Sequence, residues 1–432
     1  YDLGPGVRLA LMASVTFDAS LDQIAAPLVS GAAVVVADPR GVHPEDLADQ
    51  LTASRVHVLD ITPAYYREFV NVLRPGDGRL DELRLMCVGG DAVTYADARR
   101  WAETGKRARF GVGYGPTEAT IASTLYLAGA EVAGADGIIP LGRVLSGTGA
   151  YVLGPNGMDV PTGVIGELHI GGRRVARGYR RAPALTAAHF LPDPYSPVPG
   201  ARMYATGDLV RRLPGGIIQY IGRADRQVKI RGFRVEPGEV EAMLATDPDV
   251  RAAAVQARRA PVGDLRLVCY MVPATPGVRP AALATRLQTR LPDYMVPAAW
   301  VELPELPLNR NGKVDRAALP DPDWSRPELA QEYVAAACEM EEYVCDLWAE
   351  VMGVQRVGRN DDFFTLGGNS ILASRVVMRI QEAFDLRLSL GQILGARTAA
   401  ALASLLESGL AEEISHWTQD QVISLLAEGD QS

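Results

Sequence analysis

Between residues 9 and 116 short apolar runs alternate with amphipathic segments, and this alternation limits the fold more than any other feature. LALMASVTF (9–17) leads into DASLDQIAAPLVSG (18–31) and then AAVVVA (32–37). HVLDIT (57–62) runs into Pro63 and a helix, LRLMCVGG (83–90) precedes a helix from about residue 95 to 104, and RFGVGYGP (109–116) follows. Unbroken apolar runs suit strands covered on both faces, and helices between them supply the crossovers that parallel strands require. The pattern predicts an α/β layered domain with a largely parallel sheet. Ligands on such sheets sit at the carboxyl ends of strands, where the loops bearing Asp18, Ala64, Gly89 and Gly113 should gather. Phe17-Asp18-Ala19-Ser20 lies where strand passes into helix, so Asp18 also reads as a helix N-cap.

Residues 111–120, GVGYGPTEAT, stand out within this region. Three glycines and a proline argue against regular structure and for a tight turn at Gly115-Pro116, since one frees φ and the other fixes it. Tyr114, Thr117 and Glu118 add a flat ring, a hydroxyl and a carboxylate. Such a loop can lie against a flat ligand and bring a hydroxyl and an acid to phosphate and metal. A surface turn between strand and helix is the plainer reading.

At 432 residues the chain has room for roughly two to four domains. An apolar fraction of 48% provides for sizeable cores, and a net charge of −9 with scattered arginines argues against a nucleic-acid partner. Cys87, Cys269, Cys338 and Cys345 form no CxxC pair, so the sequence indicates neither a disulfide framework nor a zinc site and suits the reducing cytoplasm. The longest wholly apolar run, residues 32–37, is too short to cross a bilayer, and no signal peptide opens the chain. The first residue is Tyr1, as expected for a piece of something longer.

From about residue 139 the pattern changes to shorter strands and turns, GAYVLGPNG, VIGELHIGG and GIIQYIG, which predicts a β-rich subdomain. It carries the loop Thr206-Gly207-Asp208. Residues 224–320 read as a compact α+β unit: helix 237–246, strands RAAAVQAR and RLVCYMV, helix 280–291, strand AWVELP, and a final turn bearing Lys313. PDPDWSRP (320–327) is a linker without periodicity. Beyond it lies an all-helical pattern: helix 339–352, loop DDFFTLGGNS, helix ILASRVVMRIQEAF, and short segments after 388 that complete a bundle. Ser370 follows Gly367-Gly368-Asn369; it reads either as an N-cap or as a modification site that the double glycine leaves open to a bulky partner. The acidic end, EEISHWTQDQVISLLAEGDQS, reads as an amphipathic cap on the bundle or as a docking helix for a partner.

Eight motifs in order carry a resemblance: FDAS (17–20), GYGPTEAT (113–120), GELHIGGRRVARGY (166–179), YATGDLV (204–210), GRADRQVKIRGFRVEPGEVE (222–241), LPDYMVP (291–297), NRNGKVDR (309–316) and DDFFTLGGNS (361–370). With them the chain resembles a nonribosomal peptide synthetase: the later part of an amino-acid adenylation domain followed by a peptidyl carrier protein. The resemblance implies an adenylate-forming (acyl-activating) enzyme fold, N-terminally truncated, with a small α+β C-terminal subdomain and a four-helix carrier bundle. The expected divisions are a partial large adenylation domain (1–223), a small subdomain (224–320), a linker (321–332), a carrier (333–405) and an acidic tail (406–432).

The implied activity is adenylation of an amino acid with ATP and magnesium, then thioester loading onto 4′-phosphopantetheine carried by Ser370. By resemblance Tyr114 stacks on adenine, Asp208 accepts from the ribose hydroxyls, and Arg223 and Gly89 complete the nucleotide site. Thr117 contacts the α-phosphate, Glu118 holds magnesium, Lys313 bridges substrate carboxylate and α-phosphate, and Asp225 is the hinge. Asp18 pairs with the substrate α-amino group, and Ala19, Asp22, Ala64, Met86, Val88, Gly113, Ile121 and Ala122 line the side-chain pocket. Small Ala19, Ala64 and Gly113 leave that pocket roomy, while Asp22 wants a cationic or hydrogen-bonding partner; a large aromatic or basic amino acid is expected.

The implied partners are condensation domains and other synthetase subunits, a phosphopantetheinyl transferase, and an MbtH-type helper near Ala201. Arg174 stands where the family usually has glycine, Val144 where proline is frequent, and Asn369 where aspartate or histidine is commoner. The family's phosphate loop is expected before Tyr1. Two other readings compete: a carrier and docking fragment without adenylation activity, and a stand-alone acyl-CoA ligase, which the fused carrier disfavours.

Overall fold

The computed structural model describes residues 1–37, 42–129, 134–230, 233–261, 263, 265–309, 313–324, 333–364, 366–368, 370–384, 386 and 388–415. It divides into two compact units, Tyr1–Arg234 and Val235–Ser432.

The first unit opens with β1 (Arg8–Leu11), α1 (Ala19–Val29), β2 (Ala33–Val36), α2 (Pro44–Ala53), β3 (Val58–Ile61), α3 (Pro63–Phe69), β4 (Leu85–Gly89), α4 (Tyr95–Glu103), β5 (Arg109–Tyr114), β6 (Thr124–Leu127) and β7 (Arg143–Val144). These strands form one seven-stranded sheet in the order β2-β1-β3-β4-β5-β6-β7. The first five are mutually parallel, and β6 and β7 close the far edge antiparallel. The predicted parallel sheet is therefore present with an antiparallel end, formed because the chain doubles back after Tyr114 rather than crossing over.

Alternate residues of β3 and β4 face opposite sides. Leu59, Ile61, Met86 and Val88 enter a core with Leu47, Leu51, Tyr66, Phe69 and Trp101 from the helices. Val58, Leu85 and Cys87 face a second cluster with Val7, Leu9 and Ala32. Helix α4 is fixed at its start by a reciprocal cap between Thr94 and Asp97, and Arg67 grips the Asp97 carboxylate at 2.8 Å through both Nε and Nη2.

The β-rich part contains β8 (Thr148–Leu153), β9 (Ile165–Gly172), α5 (Pro183–His189), β10 (Phe190–Pro192), β11 (Arg202–Arg212) and β12 (Ile218–Arg223). Its antiparallel sheet runs β10-β11-β9-β8, with β12 on the other part of long β11. β13 (Val228–Ile230) and β14 (Phe233–Val235) follow at the end of the unit.

The second unit comprises α6 (Pro237–Leu244), β15 (Val250–Arg259), β16 (Leu265–Pro273), α7 (Pro280–Gln288) and β17 (Ala299–Glu302), then α8 (Glu339–Met352), α9 (Ser370–Phe384), α10 (Leu390–Gly395) and α11 (Ala399–Ser415). β15 and β16 pair antiparallel and β17 joins β16 parallel. The four helices enclose a core around Trp348, Phe363, Val376, Ile380 and Leu402. Of the expected linker and tail, residues 325–332 and 416–432 lie outside the described residues, as does Asn369. No described helix is long and apolar enough to cross a membrane.

Candidate functional site

The sheet order reverses between β1 and β3, which leaves a crevice at their carboxyl ends. Gln23 holds that fork: its Oε1 accepts from the backbone N–H groups of Met12 (2.8 Å) and Ala13 (2.9 Å), and its Nε2 donates to the Asp60 carbonyl (2.9 Å). This fully buried amide fixes the first turn of α1, and with it Asp18, Ala19 and Asp22, against the sheet. The sequence reading passed over Gln23, whose signal was a polar residue amid apolar helix positions.

Asp18 stands at the N-cap position but caps nothing. Its Oδ2 instead accepts from the Thr117 hydroxyl at 2.6 Å. Residues 111–114 are not the irregular loop expected from their glycines; they are the end of β5. Gly111 fits there because a Cβ would stand 3.2 Å from Leu85 Cδ1 and 3.4 Å from Leu127 Cδ2, so the glycine answers close packing between strands. The turn begins only at Gly115, where a Cβ would meet the Ile121 carbonyl oxygen at 2.2 Å. The loop folds back at once: Ser123 N–H donates to the Tyr114 carbonyl at 2.7 Å.

Thr120 and Ile121 pass through the left-handed region at φ 62° and 69°, a strained conformation for a β-branched side chain. Arg174 clamps them. Its Nη1 donates to the Ala122 carbonyl (2.7 Å) and its own carbonyl accepts from the Thr120 hydroxyl (2.6 Å). The departure from glycine at this position thus has a physical role, holding Ile121 and Ala122 in place.

At the other end of the loop Tyr114 donates its hydroxyl to Asp208 Oδ2, and Arg223 Nη1 donates to Asp208 Oδ1 at 2.7 Å. Arg223 also binds the Thr206 carbonyl (3.0 Å) and grips Asp225 through Nε (2.6 Å) and Nη2. Gly207, at φ +74°, is compelled twice over, since a Cβ would lie 2.5 Å from Asp225 Oδ2. Burial first, then the Asp208 charge, pushes the Tyr114 phenol up, so it stays a donor. Lys229 Nζ lies 5.8 Å from the centroid of the Tyr114 ring.

Glu118 is 8% exposed. It accepts from the Tyr179 hydroxyl (2.6 Å) and, on both oxygens, from Arg234 Nη1 (2.9 and 2.8 Å). Burial works to raise its carboxyl, but the Tyr179 hydrogen bond and the Arg234 charge outweigh it and hold the group below the usual carboxylate range. Among the described residues no group of three or more His, Cys, Asp or Glu gathers for a metal. A single buried carboxylate, Glu118, fits magnesium bound mostly through phosphate oxygens, which needs only one or two protein carboxylates.

The pocket lining differs from expectation on β4. Met86 and Val88 are fully buried on the helix side, in the core with Tyr66 and Phe110. Cys87, between them, faces the other way, where a Cβ on Gly113 would meet its Sγ at 3.5 Å. Cys87 pairs in register with Asp60, which accepts from the Tyr1 hydroxyl at 3.2 Å. Burial, then the neighbouring Asp22 charge, pushes the Asp60 carboxyl up to about 7, and burial also raises Asp22. Asp60 and Cys87 were missed because both faces of these strands are buried, so apolar pattern alone does not separate core from pocket. Gly89 ends β4 hard against β5: a Cβ there would lie 2.7 Å from the Gly113 carbonyl oxygen. Ala64 is the second residue of α3 and half-buried.

Lys313 and Ser370 belong to the second unit. Lys313 is exposed on a turn closed by Asn309, whose N–H donates to the Lys313 carbonyl at 2.7 Å. Ser370 is the first residue of α9. The glycines before it serve the backbone rather than simply clearing space: Gly367 sits at φ +91°, and a Cβ on Gly368 would collide with Phe363 at 2.4 Å.

This arrangement, a sheet crevice with a threonine–glutamate turn followed by a helical bundle bearing a serine at a helix start, defines an adenylate-forming enzyme joined to a carrier domain. The profile described as AMP-binding enzyme matches residues 1–180, the AMP-binding enzyme C-terminal domain matches 239–313, and the phosphopantetheine attachment site matches 342–406. The chain is 41% identical, over 94% of its length, to a dimodular nonribosomal peptide synthase of Bacillus subtilis, and 39% identical, over 95%, to the phosphinothricin tripeptide synthetase of Streptomyces viridochromogenes. It spans 17% of the first of these relatives and 37% of the second. A solved adenylation–carrier protein bound to a vinylsulfonamide inhibitor superposes with a TM-score of 0.77 at 28% identity, covering 95% of this chain and 67% of that one. The chain belongs to the nonribosomal peptide synthetase family, as an adenylation segment followed by a carrier domain.

Proposed function

We propose that this chain supplies the amino-acid and nucleotide walls of an adenylation site and the carrier that receives its product. The observation that carries this reading is the convergence, within one turn, of Thr117 on Asp18, Tyr114 on Asp208, and Glu118 in a polar nest. In this reading the Asp18 carboxylate binds the substrate α-ammonium, and the substrate side chain enters between Ala19, Asp22, Ala64, Gly113, Ile121 and Ala122. Asp60 and Cys87 replace Met86 and Val88 in that lining. Asp208 has lone pairs left beside Tyr114 and Arg223 to accept ribose hydroxyls, Tyr114 offers its ring to adenine, and Gly89 lets backbone approach the nucleotide.

The substrate carboxylate oxygen attacks the α-phosphorus and the bond to pyrophosphate breaks. Thr117 donates to the α-phosphate, Lys313 stabilises the charge on attacking and transferring oxygens, and Glu118 is the magnesium-holding carboxylate. Magnesium, when bound, offsets the phosphate charge. Asp225, gripped by Arg223, is the hinge. Ser370, the first residue of a fifteen-residue helix, carries the phosphopantetheine arm. The arm, when attached to Ser370, would supply the thiol that takes the aminoacyl group from the adenylate as a thioester, with AMP as the leaving group. The cytoplasm is the proposed compartment; the partners are a phosphopantetheinyl transferase, neighbouring condensation domains and an MbtH-type helper at Ala201.

Intact-mass measurement of the chain, joined to its upstream synthetase portion and supplied with ATP and an amino-acid mixture, tests this reading. Sequential gains of phosphopantetheine and an aminoacyl group, both absent from Ser370→Ala, are expected. A phosphopantetheine gain with no aminoacyl load under any amino acid would leave the carrier-fragment reading instead.

A further inference from the structure

We propose that Arg234 and magnesium are alternating occupants of Glu118, so that the metal binds only when the guanidinium withdraws; this rests on the reading of Glu118 as the metal-holding carboxylate. Arg234 Nη1 contacts both Glu118 oxygens at 2.9 and 2.8 Å, and Tyr179 takes a further position on Oε1 at 2.6 Å. Two donor groups making three contacts thus occupy most of the roughly four lone-pair sites of the carboxylate. An inner-sphere magnesium sits about 2.1 Å from its ligand oxygen, which would put a double charge within about 4 Å of the guanidinium. Glu118 is nearly buried, so little water stands between them to screen that repulsion. The two cations therefore exclude one another.

Arg234 is built to return to this seat. Its Nη2 contacts the Tyr204 hydroxyl at 3.3 Å, and Tyr204 lies 3.3 Å from the Tyr179 hydroxyl, so the guanidinium rests in a preformed polar nest. Arg234 is also the last residue of the first compact unit, at the point where the chain passes into the second. With its side chain 39% exposed, Arg234 can leave and re-enter without unfolding a core. The functional sense follows from charge. Were the metal to leave, the buried carboxylate would stand without a cation, and Arg234 would restore neutrality there. Binding linkage makes the effect mutual: metal weakens Arg234 seating by the same factor by which Arg234 weakens metal binding.

Titration of the full chain with Mn2+ alone, followed by the loss of free Mn2+ signal in electron paramagnetic resonance, tests the exchange. Arg234→Gln should bind Mn2+ about tenfold more tightly than the wild type, the scale of one charge-assisted hydrogen-bond pair removed from competition. Glu118→Gln should lose that binding in both backgrounds. Should Arg234→Gln fail to fold by circular dichroism, Arg234→Lys carries the test: it loses the fork and should also bind more tightly, by a smaller factor. Equal affinity in wild type and the Arg234 variant, with Glu118→Gln still weaker, overturns the exchange while leaving Glu118 as a metal ligand. Affinity indifferent to Glu118→Gln overturns both.

Discussion

Thr117 donates its hydroxyl to Asp18 across 2.6 Å, joining two residues ninety-nine positions apart in the chain. The contact ties the turn after β5 to the first turn of α1, so the two proposed substrate-binding groups are positioned by each other. Asp18→Ala should raise the KM for the amino acid by about 10 to 100-fold, the scale of one lost charged hydrogen bond, with a smaller change in kcat. Thr117→Ala should chiefly lower kcat, by about 100-fold. Amino-acid-dependent pyrophosphate exchange, measured with the upstream portion present, separates these; a pure kcat loss in Asp18→Ala would remove it from amine recognition.

Arg174 offers a sharper test of the pocket. Its hold on Ala122 and Thr120 keeps Ile121 at φ 69°. Arg174→Gly removes the guanidinium contact to Ala122 while the residue 174 carbonyl still accepts from Thr120, so the segment should loosen around Ala122 rather than unfold. The expected result is broadened amino-acid preference in the exchange assay, with nucleotide KM unchanged. A preserved ranking of amino acids would show that the clamp does not reach the pocket.

Stability should depend strongly on Asp97. Its carboxylate is held low against burial by Arg67 and the Thr94 cap, so its contribution is present above the ordinary carboxylate pKa and lost as pH falls through the depressed one. Asp97→Ala removes the carboxylate half of the cap and leaves Arg67 with only the Ala92 carbonyl, costing about 2–4 kcal/mol. Chemical denaturation at pH 7 measures it, and the deficit should shrink toward pH 3.

Asp60 runs in the opposite sense. With its carboxyl pushed up to about 7, the folded state holds a proton that the unfolded chain has released, so stability falls as pH rises from about 4 through 7. Asp60→Asn should flatten that slope in thermal melts between pH 5 and 8. An unchanged slope would mean that the carboxyl is already ionised.

The strand–helix alternation made the parallel part of the sheet legible, because hydrophobic period and crossover length are local properties. Residues 339–352 were legible as α8 for the same reason, and Gly353, at φ 69°, stops that helix as a left-handed cap. What stayed hidden was what depends on distant partners. Glu118 and Arg234 stand 116 positions apart, and nothing near either announces the other. Gly111 looked like a turn former because sequence shows the missing side chain but not the leucines that require its absence. Met86 and Val88 stood in the pocket by resemblance alone, and a strand buried on both sides gives no alternation by which the sequence could correct that.

Within the second unit Arg266, buried on β16, reaches Met352, the last residue of α8, and lies against Gly367 in the turn before α9; its Nη2 stands 3.4 Å from the Met352 carbonyl oxygen. A helix ends with unsatisfied carbonyls and partial negative charge, and here an arginine from a different subdomain answers them. A carrier cut free at residue 333 would keep its apolar core but surrender that cation. The end of α8 and the turn leading to Ser370 would then exchange amide protons faster than in the intact chain, so an excised carrier is an imperfect stand-in for the attached one.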